Sequence, residues 1–269
     1  MSIAYDFTEK VALVTGGGHG VGAYIAADLG ASGAHVVVNY CRDTARAQAT
    51  CKQIIADGGS AERIRANVSH PQAVTDMFEA VRERHGRLDI LVNNAATGVV
   101  TAMGTVKDKQ MNRVIGTNLL GPLRCSQEAA RLMPPGSAIV NLSSFGAMFA
   151  LPWYSAVGPI KAAVESLTRY LAVDFSELGI RVNAASMGPI DSEAVRGLPG
   201  FDQLASAVIA CTPLGRLGGP AEIANLVMFL ASPEASWING QTVLADGGLT
   251  IAAPGIPFHL QPRQQPVQP

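Results

Sequence analysis

Thr15-Gly16-Gly17-Gly18-His19-Gly20-Val21-Gly22 follows the apolar run VALVT (11–15) and opens a helical pattern that runs from Gly20 to Ala31. A strand feeding a glycine-rich turn that becomes a helix suits a diphosphate. Glycine permits the tight turn and a close backbone approach, and the helix start offers free N–H groups and the positive end of its dipole. Alone, such a turn is a weak signal. At the head of a strand–helix–strand series it predicts dinucleotide binding.

That series continues along the chain. Further apolar runs are HVVVNY (35–40), AERIRAN (61–67), LDILVNN (88–94), SAIVNLS (137–143), IRVNAAS (180–186) and QTVLAD (241–246). Helical patterns lie between them at 43–57, 71–84, 107–132, 159–178 and 220–230. Alternation of this kind predicts an α/β fold, a single doubly wound Rossmann-type domain with about seven parallel strands and helices on both faces. Continuously apolar strands agree, because a sheet covered on both sides buries both faces of each strand. The rhythm assigns residues 1–250 to one binding and catalytic domain. A Gly- and Pro-rich interruption at 187–219 reads as a substrate lid, and 251–269 as a Pro/Gln-rich tail.

Composition narrows the function classes. With 48% hydrophobic residues, 15% charged residues and a net charge of −1, the chain offers no basic surface for nucleic acid or an anionic membrane. No apolar run is long enough to span a bilayer, and no signal-peptide pattern opens the sequence, so the cytoplasm is the expected location. Four scattered cysteines and five histidines show no metal-ligand spacing, so no metal is expected.

The glycines Gly16, Gly20 and Gly22 form GxxxGxG, not GxGxxG. With Thr15, with Asn93-Asn94-Ala95-Ala96 after the fourth strand, Asn118, Ser143-Ser144 after the fifth strand and Asp246-Gly247-Gly248 after the last, this order resembles the short-chain dehydrogenase/reductase family over residues 8–250. The resemblance implies a nicotinamide cofactor held by Thr15, Gly16, Gly18, His19, Gly20, Val21 and Gly22, with Asn94 and Ala95 behind them. It places Asn67-Val68 at the adenine, and Gly188, Ile190 and Ser192 at the nicotinamide, where Met187 replaces the family's Pro and Ser192 its Thr. It also implies a homotetramer or homodimer.

The second strand ends Val38-Asn39-Tyr40-Cys41-Arg42, without the acid that suits a free ribose 2′-hydroxyl. Arg42 offers a planar fork for a 2′-phosphate, so the expected cofactor is NADPH. His19 stands where NADP-using relatives often carry a second base. Asp43 reads as the cap of the next helix.

The family's catalytic Tyr, Lys, Ser and Asn map onto Tyr154, Lys161, Ser144 and Asn118, with one departure. The common YxxxK spacing is missing. Ser144 and Lys161 are seventeen residues apart, as in the common pattern, but Val157 occupies the usual Tyr position and Tyr154 lies three residues early. Pro159 predicts that the regular helix begins near Gly158 or Pro159, with Tyr154 in the approach to it and Lys161 about one turn inside. The resulting Yx6K resembles the third type of enoyl-acyl-carrier-protein reductase, although Pro159 departs from that type.

Phe201, Leu204, Val208 and Ile209 are spaced for one helix face in the lid. They read either as core or as the wall of an acyl channel. Phe145, Met148, Phe149 and Trp153 add apolar surface near Tyr154. Three readings remain at this point. The first is an NADPH-dependent reductase of an enoyl thioester, free or bound to acyl-carrier protein, in fatty-acid or polyketide-type biosynthesis. The second is an NADPH-dependent ketoreductase of secondary metabolism. The third is an NADP(H)-binding sensor without chemistry.

Overall fold

A computed structural model of the chain describes residues 5–197 and 200–252. Seven strands, β1 (Val11–Val14), β2 (His35–Tyr40), β3 (Ser60–Arg65), β4 (Ile90–Asn93), β5 (Ala138–Ser144), β6 (Arg181–Met187) and β7 (Thr242–Ala245), form one sheet in the order β3-β2-β1-β4-β5-β6-β7. Every neighbouring pair is parallel. The direction of winding reverses between β1 and β4. Loops leaving the C-terminal ends of those two strands diverge there and open the crevice in which such folds take their ligands.

Alternation along each strand explains why the sheet is covered twice. Ala12, Val14, Val36, Val38, Ile90 and Val92 join one buried cluster with Ile25 and Leu29 of α1 (Gly20–Ala31) and Ile54 of α2 (Thr44–Ala56). Their strand neighbours Leu13, Val37 and Leu91 face the other way, into a cluster with Val74, Met77, Phe78 and Val81 of α3 (Pro71–His85). Successive residues on a strand point to opposite faces, so continuous apolar runs require two cores.

The 107–132 pattern is not one helix. It divides into α4 (Asp108–Ile115), a wide π turn over Gly116–Leu120 and α5 (Gly121–Ala130). Pro122 has no N–H for the carbonyl one turn back, and the Gly121 N–H instead reaches Gly116 O, five residues back. The C-terminal half continues with α6 (Gly158–Asp174), the short α7 (Glu193–Arg196), α8 (Phe201–Cys211) and α9 (Pro220–Ala231). Residues 198–199 of the lid and 253–269 of the tail lie outside the described residues. No helix among the described residues is long and apolar enough to cross a membrane.

Candidate active site

Thr15 ends β1 and ties it to the loop after β4. Its hydroxyl donates to Val92 O at 3.2 Å and accepts the N–H groups of Asn94 and Ala95, both at 3.0 Å. Asn94 closes the arrangement, its side-chain amide donating to Thr15 O at 2.9 Å and Gly16 O at 3.1 Å. Asn39, buried at the end of β2, accepts the Gly16 N–H at 3.3 Å and donates to Ala66 O at 3.1 Å. Nothing in the spacing of Asn39 marks a side chain that braces two loops at once.

The glycines of the turn have different reasons. Gly16 has φ of +63° and would bring a side chain to 3.0 Å from Ala95 Cα. A Cβ on Gly22 would stand 2.4 Å from Asn94 Nδ2 and 2.5 Å from Gly16 O. Gly22→Ala is therefore expected to pry α1 from the β4 loop and destabilise the protein by about 1–3 kcal/mol, read as a lower thermal midpoint. Gly20 is the opposite case. Its φ is +55° and nothing lies within 4 Å of an added Cβ. His19, the residue ahead of α1, is extended and gives the helix start no side-chain cap. An open space at an uncapped helix start fits a diphosphate.

Arg42 is exposed just past β2 and has no ion-pair or hydrogen-bond partner among the described residues. Asp43 caps α2, accepting the Arg46 N–H at 2.9 Å. Arg46 forms a two-pronged ion pair with Glu193 of α7, both contacts 2.8 Å, so α7 is tied to α2. The partners are 147 residues apart, which no local pattern reveals. Asn67 bends its own loop, its Oδ1 accepting Ser69 N–H at 3.1 Å, while Val68 is buried beside Gly121.

The catalytic candidates gather around the ends of β5 and α6. The helix α6 starts at Gly158 with Pro159 in its first turn, as the sequence predicts. Tyr154 lies in the approach, and its carbonyl accepts the N–H groups of Val157 and Gly158, both at 2.9 Å. Its ring packs on Gly146, where a Cβ would meet ring carbons at 2.7 and 2.8 Å. Burial raises the Tyr154 phenol above its ordinary value, and a hydrogen bond from Ser144 opposes that shift. Ser144 ends β5, its Oγ accepting Gly146 N–H at 3.2 Å. Val157, at the position three residues on, is buried among Val114, Ala156, Val99 and Met111 and carries no polar group.

Trp153 reaches Tyr154 with φ of +65°, the left-handed region that a bulky side chain avoids at a cost of about 1–2 kcal/mol. Its carbonyl accepts the Thr101 N–H at 3.1 Å, which pins this turn to the loop after β4.

Lys161 is buried and donates from Nζ to Leu142 O at 2.6 Å. Burial brings its pKa down to about 8, with Glu165 opposing the shift. Glu165 in turn accepts the Ser143 hydroxyl at 2.6 Å. Asn118 sits in the π turn and clasps Thr97, accepting its N–H at 2.8 Å and donating to its carbonyl at 2.9 Å. It has no direct bond to Lys161 among the described residues.

On the substrate side, Gly188 packs so closely on Asp246 that a Cβ would stand 2.7 Å from it. Ile190 is buried and bridges to Gly218, and Ser192 is the extended residue ahead of α7. The α8 stripe is not core. No residue of α8 is buried, and Leu204 is exposed. Met148, Phe149 and Trp153 are also exposed. Exposed apolar side chains at 148, 149 and 153 thus lie close to Tyr154 in the chain.

A family profile described as Enoyl-(Acyl carrier protein) reductase matches residues 16–250. The chain is 37% identical over 252 residues to the 1-cyclohexenylcarbonyl-CoA reductase of Streptomyces collinus, covering 91% of this chain and 89% of that protein. It is 37% identical over 242 residues to a 3-oxoacyl-[acyl-carrier-protein] reductase of Staphylococcus aureus, covering 89% and 98%. Among solved structures, a mutant short-chain dehydrogenase/reductase from Serratia marcescens is similar with a TM-score of 0.86 and 31% identity, covering 91% of this chain and 100% of that one.

Proposed function

The chain belongs to the short-chain dehydrogenase/reductase family and is an oxidoreductase of that type, and on that premise we propose that it uses NADPH to reduce the double bond of an enoyl thioester. The observation that carries this reading is the position of Tyr154. The usual tyrosine site holds Val157 in an apolar cluster, so among the described residues the phenol at Ser144 is that of Tyr154, which enters from an earlier turn. A donor displaced in this way suits an oxygen displaced from the reacting carbon. In an enoyl thioester the charge develops on the thioester oxygen, three bonds from the β-carbon. The S. collinus relative, named for reduction of a cyclohexenylcarbonyl-CoA, supports the same chemistry.

When bound, NADPH supplies hydride to the substrate. The turn from Thr15 to Gly22 would hold its diphosphate, Arg42 its 2′-phosphate, Asn67-Val68 its adenine end, and Gly188, Ile190 and Ser192 its nicotinamide end. Asn94 and Ala95 keep the turn in shape through Thr15. Tyr154 donates a hydrogen bond to the developing enolate oxygen, and Lys161, as a cation, makes that donation easier by stabilising negative charge on the phenol. Ser144 orients the phenol, and Asn118 holds the loop at Thr97 that borders the site. The exposed apolar groups of α8 and of residues 148–153 receive the acyl chain, which arrives on coenzyme A or on acyl-carrier protein. A cytoplasmic homotetramer or homodimer working in fatty-acid or polyketide-type biosynthesis completes the reading.

One observation favours a second reading. Ser144 stands at the Tyr154 phenol, where it could share a ketone oxygen, and 3-oxoacyl reductases are among the relatives. Loss of NADPH absorbance with crotonyl and acetoacetyl thioesters tests both. The proposal expects turnover of the crotonyl thioester to exceed the other by at least about tenfold. Preference for the acetoacetyl thioester supports the ketoreductase, and tight NADPH binding without turnover supports a sensor. For the cofactor, Arg42→Ala is expected to lower the NADPH-over-NADH preference by about 10–100-fold through loss of a charge-assisted contact. An unchanged preference would remove Arg42 from the account.

A further inference from the structure

At the end of the sheet opposite the glycine turn, three side chains converge that the reductase reading does not use. His35 is the first residue of β2, Glu62 lies in the edge strand β3, and His85 is the last residue of α3. One ligand atom from each falls within 4.8 Å of the other two. The imidazole rings of His35 and His85 are 4.5 Å apart, and His85 Nε2 lies 2.8 Å from Glu62 Oε1. His35 Nδ1 is 2.7 Å from the Ser60 hydroxyl, while its Nε2 is buried without a partner.

From this geometry we propose a metal site in which His35 Nε2, His85 Nε2 and Glu62 Oε1 bind a divalent transition-metal ion of the zinc type. Two imidazoles and one carboxylate are a donor set for zinc and its neighbours, not for magnesium or calcium, which prefer oxygen. The surrounding groups are arranged as such a site requires. In the tautomer in which His35 Nδ1–H donates to Ser60, the unpartnered, buried Nε2 carries a free lone pair. The Arg84 guanidinium holds Glu62 Oε2 at 2.5 Å, leaving Oε1 for the ion. Zinc ligands lie about 2.0–2.2 Å from the metal, so the ion would replace the His85 Nε2–H···Glu62 Oε1 hydrogen bond, the pair parting slightly as that proton leaves to solvent, and water would complete a tetrahedron.

Position argues for a structural role. The strands are parallel and the crevice is at their C-terminal ends, whereas His35 begins its strand. The ion would fasten edge strand β3 to β2 and to the end of α3, at the least covered border of the sheet. Local spacing could not reveal the site, since its ligands lie at 35, 62 and 85, on three separate elements.

Equilibrium dialysis of the full chain against zinc alone tests this. The expected result is one tightly held zinc per chain and a higher thermal midpoint with zinc but not with magnesium. His35→Gln and His85→Gln should each weaken zinc binding at least about 100-fold while keeping NADPH binding, which shows that they fold. Should either variant fail to fold, Ser60→Ala keeps all three ligands and is expected to weaken binding about tenfold. Absence of bound zinc in the unaltered protein, or equal retention by the variants, overturns the proposal.

Discussion

Tyr154→Phe is expected to lower kcat for the enoyl thioester by about 10²–10⁴-fold while leaving NADPH affinity within about twofold of the parent. The substitution removes one hydroxyl and keeps the ring that packs on Gly146. The turn geometry therefore survives, including the two N–H groups that bond Tyr154 O. What is lost is a donor that acts on charge present only as the reaction proceeds, so the effect falls on kcat and not on binding. A measured kcat within about threefold of the parent would show that Tyr154 is a wall residue and that the proton or hydrogen bond comes from elsewhere. Intrinsic fluorescence quenching or calorimetry with NADPH supplies the binding arm.

Lys161→Met is expected to have a comparable effect, about 10²–10³-fold in kcat/KM for NADPH, because it removes the buried cation that the proposed mechanism assigns to Tyr154. Its pH signature is more diagnostic than its size. Lys161 falls from the ordinary 10.5 to about 8 because it is buried. The charged form that assists Tyr154 is thus lost as pH rises through about 8, and kcat/KM for NADPH, which reports the free enzyme, should fall above that value. Stability should move the other way. Between about 8 and 10.5 the unfolded chain keeps a proton that the folded chain has released, so the unfolding free energy rises with pH across that window. Below about 8 both states are protonated and the burial penalty is present in full. Lys161→Met should abolish the opposed trends together. Activity and stability falling in parallel above pH 8, with the same slopes in the variant, would assign the alkaline limb to another group.

The parts of this fold that follow from short-range pattern were legible in the sequence. The run HVVVNY coincides with strand β2, His35–Tyr40, and the Asp43 cap of α2 follows from one residue type at one position. The start of α6 at Gly158 followed from the ring of Pro159 alone. The pattern failed where a side chain far along the chain decides local structure. The π turn at Gly116–Leu120 keeps the same apolar periodicity as a straight helix, so the break shows only in Pro122 and in the backbone bonding. Trp153 gives no warning of a positive φ, because the strain is imposed by neighbours and not by tryptophan itself. The α8 stripe carries the spacing of a core helix and yet stays unburied, since periodicity reports a shared face and not what covers it.

The central claim concerns which carbon receives the hydride, and one competition assay addresses it directly. The unaltered protein would be given equal amounts of crotonyl and acetoacetyl thioesters with NADPH deuterated at the transferable position of its nicotinamide. Mass and NMR analysis would then locate the label. The account predicts deuterium at the β-carbon of a saturated butyryl thioester, with the α-carbon taking its hydrogen from solvent. Deuterium found instead on the hydroxyl-bearing carbon of a 3-hydroxybutyryl thioester would contradict it.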